Sequence, residues 1–241
     1  MTILDDLLSS LDLDVSVRSF LVGVHWTIVC SRFCGLASTF TNEKTHGHNP
    51  VRDAGHLHEK SARELAQYAY SDNLLEASIG VAAINSLIDV DESSAVEINA
   101  VDVLIENGQG KDVALVGHFP FISKLRQSVG QLWVIEQNPI EGEYPVTAAD
   151  ELIPRAEVIA ITASALVNHT IDGLLALCRP QAFVMVLGPS TPLSQVLFTH
   201  GATILSGVRV RDEAAVIRTI SQGASFQQVE GVRLLTFRKS L

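Results

Sequence analysis

The rhythm of apolar residues changes along this chain, and the change divides it. From Ile3 to Leu11 apolar positions recur at the spacing of a short helix. Val15 to Cys30 and Leu36 to Thr41 read as strands, joined by a turn at Arg32-Phe33-Cys34-Gly35. Ala62, Leu65, Ala66 and Ala69 return to helical spacing and Ser71-Asp72-Asn73 interrupts them. Leu74 to Ile88 then resumes, with Asn73 and Glu76 in the places of a capping box. Strands followed by helices predict a small α+β unit over residues 1–90. Residues 91–110 read as a connection, acidic at its start, carrying a helix over Ile98 to Ile105 that Gly108 ends.

From Lys111 onward the pattern is regular. Apolar runs recur at Val113 to Val116, Leu132 to Ile135, Val158 to Ile161, Phe183 to Leu187, Thr203 to Leu205 and Val232 to Phe237, with helical segments between them. The runs do not alternate, as expected of strands covered on both faces. Residues 111–241 therefore predict a Rossmann-like, doubly wound, mainly parallel sheet, and the fold class is α/β.

Composition narrows the function. The 241 residues are 47% hydrophobic and 18% charged, ordinary for a globular protein. A formal charge of -10 opposes a nucleic-acid partner, because no general basic surface exists to neutralise phosphates. No apolar run approaches the roughly 18 residues of a membrane span, and the N-terminus lacks the basic start of a secretory signal. Cys30, Cys34 and Cys178 cannot all pair and form no Cys-x-x-Cys, so a reducing cytoplasm is the expected compartment, with buried cysteines acting as small hydrophobes.

Ligands of an open parallel sheet sit beyond the carboxyl ends of its strands, so the loops there hold the candidate chemistry. Gly117-His118-Phe119-Pro120-Phe121 follows the first run; its single glycine and two aromatics disfavour a tightly bound dinucleotide. Glu136, 19 residues after Gly117, stands where a carboxylate meets ribose hydroxyls, and Asn138 follows it. The loop after the third run holds Ser164, Asn168 and Thr170, all suited to helix capping or to ligand contact. Gly188-Pro189-Ser190-Thr191-Pro192-Leu193 combines free amides with two hydroxyls ahead of a helix and predicts an anion-receiving floor. Ligand-binding candidates are thus Gly117, His118, Phe119, Glu136, Asn138, Ser164, Asn168, Gly188, Ser190 and Thr191, and no catalytic residue is assigned. The loop Asn42 to His58 puts His46, His48, His56 and His58 beside Asp53 and Glu59; these residues suit a divalent heavy metal, although no zinc template fits their spacing. His25, beside Trp26 in an apolar strand, reads as a core residue. The Gly-x-Ser-x-Gly elbow of α/β-hydrolases is absent.

Four motifs in order, Gly117-His118-Phe119-Pro120-Phe121-Ile122, Glu136-x-x-Pro139, Ala163-Ser164-Ala165-Leu166-Val167-Asn168-x-Thr170 and Leu187-Gly188-Pro189-Ser190-Thr191-Pro192-Leu193, resemble the family known as putative heavy-metal chelation, a domain of unknown function. Gly35-Leu36-Ala37-Ser38-Thr39 and Ala82-Ala83-Ile84-Asn85-Ser86 resemble its N-terminal signature, so the resemblance spans nearly the whole chain. Ala163 stands where the third motif would have glycine. The resemblance implies an enolase-N-terminal-like domain, a Rossmann-like domain and a cleft between them. It supports a protein that binds a small anionic molecule or a metal chelator there, with or without chemistry of chelator synthesis or modification. Two alternatives are a non-catalytic metal or metallophore binder and a methyltransferase-like binder of an adenosyl donor. The expected partner is a small molecule or metal chelate, self-association being compatible with all three.

Overall fold

The structure, a computed structural model, describes residues 1–41 and 50–239. Among the described residues ten strands form two sheets. The small one is antiparallel, in the order β1 (Ser19–Val22), β2 (Trp26–Cys30), β3 (Cys34–Ser38). The large one has seven strands: β4 (Asp112–Val116), β5 (Gln131–Glu136), β6 (Tyr144–Pro145), β7 (Val158–Thr162), β8 (Phe183–Leu187), β9 (Ile204–Val210) and β10 (Val232–Arg238). Its order is β10-β9-β8-β7-β4-β5-β6, parallel throughout except for the antiparallel edge strand β10. This is the α/β architecture of the sequence pattern, a doubly wound sheet preceded by a small α+β arrangement. Nine α-helices complete it: α1 (Ile3–Ser9), α2 (Ala62–Ala66), α3 (Leu74–Leu87), α4 (Ala100–Gly108), α5 (Ile122–Arg126), α6 (Ala149–Leu152), α7 (Ile171–Ala176), α8 (Gln195–Thr199) and α9 (Glu213–Ser221), counted among the described residues.

Strand periodicity distributes the core. Val113 and Leu115 of β4 face a layer made by Val103 and Leu104 of α4 and Leu125 of α5. Ala114 and Val116 face the opposite way, into a buried cluster that runs without a break through Ile3 and Leu7 of α1, Leu65 of α2 and Ile79 and Ile84 of α3. The small sheet is sandwiched: Val29 and Ala37 join that cluster, while Ile28, Cys30 and Leu36 pack on Val216 and Ile220 of α9. Asp172 Oδ1 accepts a hydrogen bond from Ile3 N at 2.9 Å, which ties the start of α1 to the first turn of α7.

Several local expectations change. Val15 to Cys30 is two strands, because Gly23 begins a turn through Val24 and His25, and His25 is therefore exposed rather than packed in the core. The run read over Thr203 to Leu205 extends to Val210, pairing along its length with β10. Asn73 caps α3 by accepting from Leu75 N at 3.1 Å, but the Glu76 carboxylate serves Arg52 instead of closing a capping box. Cys30 and Cys34, cross-strand neighbours in β2 and β3, are joined in a disulfide, so they are not free thiols; Cys178 is free. Among the described residues no helix is long and apolar enough to cross a membrane.

Candidate functional site

The large sheet reverses its order beside β4: the chain moves outward through β5 and β6 on one side and through β7 to β10 on the other. Strand ends splay at such a switch point and leave a crevice. A cavity of about 730 Å³ lies there, walled by the carboxyl ends of β4, β5 and β7, by α6 and α7, and by Phe40 from beyond β3.

Gly117 shapes its rim. Its φ is +111°, and a Cβ would come 2.9 Å from Thr162 Cβ, so only glycine turns the chain sharply off β4 here. The turn presents His118, whose Nδ1 donates to Glu143 Oε1 at 2.8 Å; the other Glu143 oxygen accepts from Ile140 N at 3.1 Å. Gly142, with φ +85°, folds the loop after β5 back so that this carboxylate arrives. The Glu143 side chain is only 5% exposed whereas that of His118 is 55% exposed. A buried carboxylate that accepts the Nδ1–H hydrogen bond fixes the tautomer and leaves Nε2 with a lone pair for a ligand.

Glu136 ends β5 on the same wall and accepts from Gln137 N through Oε2 at 2.8 Å. Among the described residues, its other oxygen and the carboxylate of Asp150 in α6 have no hydrogen-bond partner. Thr162 and Ser164 also line the cavity and begin a ladder of hydroxyls that runs away from it. Thr162 Oγ1 and Ser164 Oγ are 3.0 Å apart, Ser164 Oγ and Ser38 Oγ 3.4 Å, and Ser38 Oγ and Ser190 Oγ 3.2 Å. Asn168 lines the cavity with its Oδ1 already taken by Thr170 N and Oγ1, which leaves its amide nitrogen to donate. His169 adopts φ +59° and donates from Nε2 to Ala69 O at 2.7 Å, pinning this loop to the segment before α3.

Of the sequence-predicted site residues, Gly117, His118, Glu136, Ser164 and Asn168 therefore line one cavity. The others lie elsewhere. Phe119 stacks on Phe121, ring centres 5.0 Å apart, and packs into the α4 and α5 layer. Asn138 is exposed on the loop beyond Gln137. Gly188, Ser190 and Thr191 form a joint between the sheets and do not line this cavity: Ser190 is 1% exposed and accepts from Ser38 N at 2.8 Å, and Thr191 Oγ1 donates to Gly188 O and Ser206 O. Asn85 closes this joint, its Nδ2 donating to Leu36 O at 2.9 Å and Ser190 O at 3.0 Å. His56 and His58 are exposed, each against Glu59, while His46 and His48 lie outside the described residues.

Sequence reasoning missed Glu143, Asp150, His169 and Phe40. Asp150 and Glu143 sit in or beside a long polar loop with no motif spacing to mark them, since their approach to His118 and Glu136 depends on how the loop folds back. His169 stood within a quoted motif, and a non-glycine residue at positive φ is not visible in a sequence.

Two family models, both described as "Putative heavy-metal chelation", match residues 4–88 and 99–239. An uncharacterized protein of Methanocaldococcus jannaschii is 24% identical over 219 residues, covering 86% of this chain and 83% of its own. A solved structure from Desulfitobacterium hafniense, a protein of unknown function of the same family, is 28% identical with a TM-score of 0.87 and covers 98% of both chains. Another from Pyrococcus horikoshii, 23% identical with a TM-score of 0.81 over 98% of each chain, shares the fold. With the longer family match spanning more than half of its length, the chain belongs to the "Putative heavy-metal chelation" family.

Proposed function

We propose that the switch-point crevice binds a metal ion carried by a small chelator, as a non-catalytic or pre-catalytic receptor for that complex. In this reading residues 1–90 and 111–241, connected through 91–110, are the two units that meet at the crevice, with Phe40 reaching it from the first. The observation that carries the proposal is the charge and donor set of the cavity. His118 offers a lone pair backed by Glu143, and Glu136 and Asp150 offer carboxylate oxygens. No lysine or arginine is found among the described residues that line it. A bare anion would meet two carboxylates, and unit charges of one sign about 4 Å apart near a protein surface repel by roughly 4 kcal/mol. A metal complex reverses that sign, and the Thr162, Ser164 and Asn168 groups suit the polar atoms of its chelator. The heavy metal is cargo here.

The test is calorimetric titration with the one-to-one nickel(II)–histidine complex, a small cationic chelate, beside inorganic phosphate and an adenosyl donor. The complex is expected to bind and the other two are not. His118→Ala and Glu136→Gln each remove a contact to a charged group worth about 1.5–3 kcal/mol, roughly a ten- to hundredfold loss of affinity. Phosphate binding in place of the complex, or unchanged affinity in both variants, rejects the proposal. Binding of the adenosyl donor that depends on Glu136 replaces it with the methyltransferase-like alternative.

A further inference from the structure

Cys30 and Cys34 face each other where β2 turns into β3, and Glu213, the first residue of α9, reaches the same place from far along the chain. One sulfur from each cysteine and one Glu213 carboxylate oxygen all lie within 4.8 Å of one another. Cys34 Sγ is 3.4 Å from Glu213 Oε2. The carboxylate is held from two sides: Ser19 Oγ donates to Oε1, and Arg18 Nη2 donates to Oε2 at 2.9 Å.

The frame is pre-organised. Phe33 N donates to Ser86 O at 2.9 Å, and the Ser31 and Ser86 hydroxyls are 2.7 Å apart, which fastens the hairpin turn to α3. Gly35 presses so closely on α3 that a Cβ there would come 2.2 Å from Ala82 O. Cys30 is buried, while Cys34 and Glu213 are partly exposed and leave an approach from solvent. None of the three lines the crevice.

We infer that, once the Cys30–Cys34 bond is reduced, the two thiolates and the Glu213 carboxylate form a site for one soft divalent cation, separate from the crevice. A dithiol reductant supplies two electrons and two protons, becomes a disulfide itself, and turns the bond into two thiols. The cation displaces both thiol protons to water as two metal–sulfur bonds form. Two thiolates and one carboxylate around a divalent ion leave one negative charge, which the Arg18 guanidinium offsets. Arg18 Nη2 also lies 3.8 Å from Cys34 Sγ, where its charge favours the thiolate. Thiolates on a tetrahedral ion at about 2.3 Å sit roughly 3.8 Å apart. Cys30 and Cys34, whose Cα atoms are 4.0 Å apart, reach that spacing by side-chain rotation. Sulfur selects soft ions, and three protein ligands leave a fourth position open.

The experiment titrates Cd²⁺ into the full chain, oxidised and after dithiol reduction, reading the near-ultraviolet thiolate-to-metal charge-transfer band under anaerobic conditions. Reduced protein is expected to bind one ion per chain with this band, and oxidised protein to show none. Cys34→Ser abolishes the band and Cys178→Ser keeps it, because the Cys178 thiol is pushed up to about 12 by burial. Glu213→Gln weakens binding by about tenfold or more. This surface variant keeps the test decisive if circular dichroism shows Cys34→Ser unfolded. The inference is overturned if the bond resists reduction in the folded chain, if reduced protein gives no band, if the band survives Cys34→Ser, or if Glu213→Gln binds like wild type.

Discussion

Glu76→Gln tests how α3 holds Arg52. The Glu76 side chain is 3% exposed and takes two hydrogen bonds from one residue, Arg52 N at 2.7 Å and Arg52 Nε at 2.8 Å. Two residues on, Ser78 Oγ accepts from Phe40 N at 3.0 Å, so one helix fixes both Phe40 and Arg52. Glutamine keeps one acceptor oxygen but turns an NH₂ toward the guanidinium. One charge-assisted bond becomes a neutral one, a loss of about 1 kcal/mol, and the other is lost outright, about 2 kcal/mol more. The Arg52 side chain is 60% exposed, and water replaces part of its bond, which lowers the expected total to about 2 kcal/mol. At about 2–4 °C per kcal/mol for a chain of this size, the melting temperature falls by roughly 4–8 °C. Burial pushes the Glu76 carboxyl up, yet hydrogen bonds from the Arg52 backbone, Ser71 and the Arg52 side chain together hold it below its ordinary 4.5. A carboxyl depressed by folding contributes its stability fully above that ordinary value and loses it as pH falls through the folded one. Urea unfolding at neutral pH and in steps below about 4.5 should therefore show the wild-type advantage shrinking in acid. A difference under about 0.5 kcal/mol at neutral pH, or one that stays constant into acid, refutes the reasoning.

Two further variants test the packing around the site. Gly80→Ala adds a helix-favouring residue, but its Cβ would come 1.9 Å from Ala69 N, backbone that cannot move aside cheaply. We expect a net loss of about 2 kcal/mol or more by urea unfolding, and a gain in stability would disprove the close helix approach. Ser190→Ala removes the acceptor of Ser38 N and should cost about 1–3 kcal/mol in thermal unfolding while nickel–histidine affinity stays unchanged. Unchanged melting with tenfold weaker binding would instead return Gly188 to Thr191 to the ligand.

Much of this protein was readable from residue order. The central strands are unbroken apolar runs because helices and the N-terminal elements cover both faces of the sheet, and burial on two sides leaves no room for polar alternation. The ends of those runs, with Gly117, His118, Glu136, Ser164 and Asn168, follow from the same fact, since ligands of such a sheet gather at its carboxyl edge. Periodicity reports which face of an element is buried, but it carries no distances between segments. Three-dimensional packing alone brought Glu143 to His118, drew the Ser190 and Thr191 hydroxyls into the joint between the sheets, and carried Glu213 to Cys30 and Cys34 across some 180 residues. It also turned Phe119 away from the crevice, because a strand end with glycine at φ +111° sends the following side chains in directions that residue type does not specify.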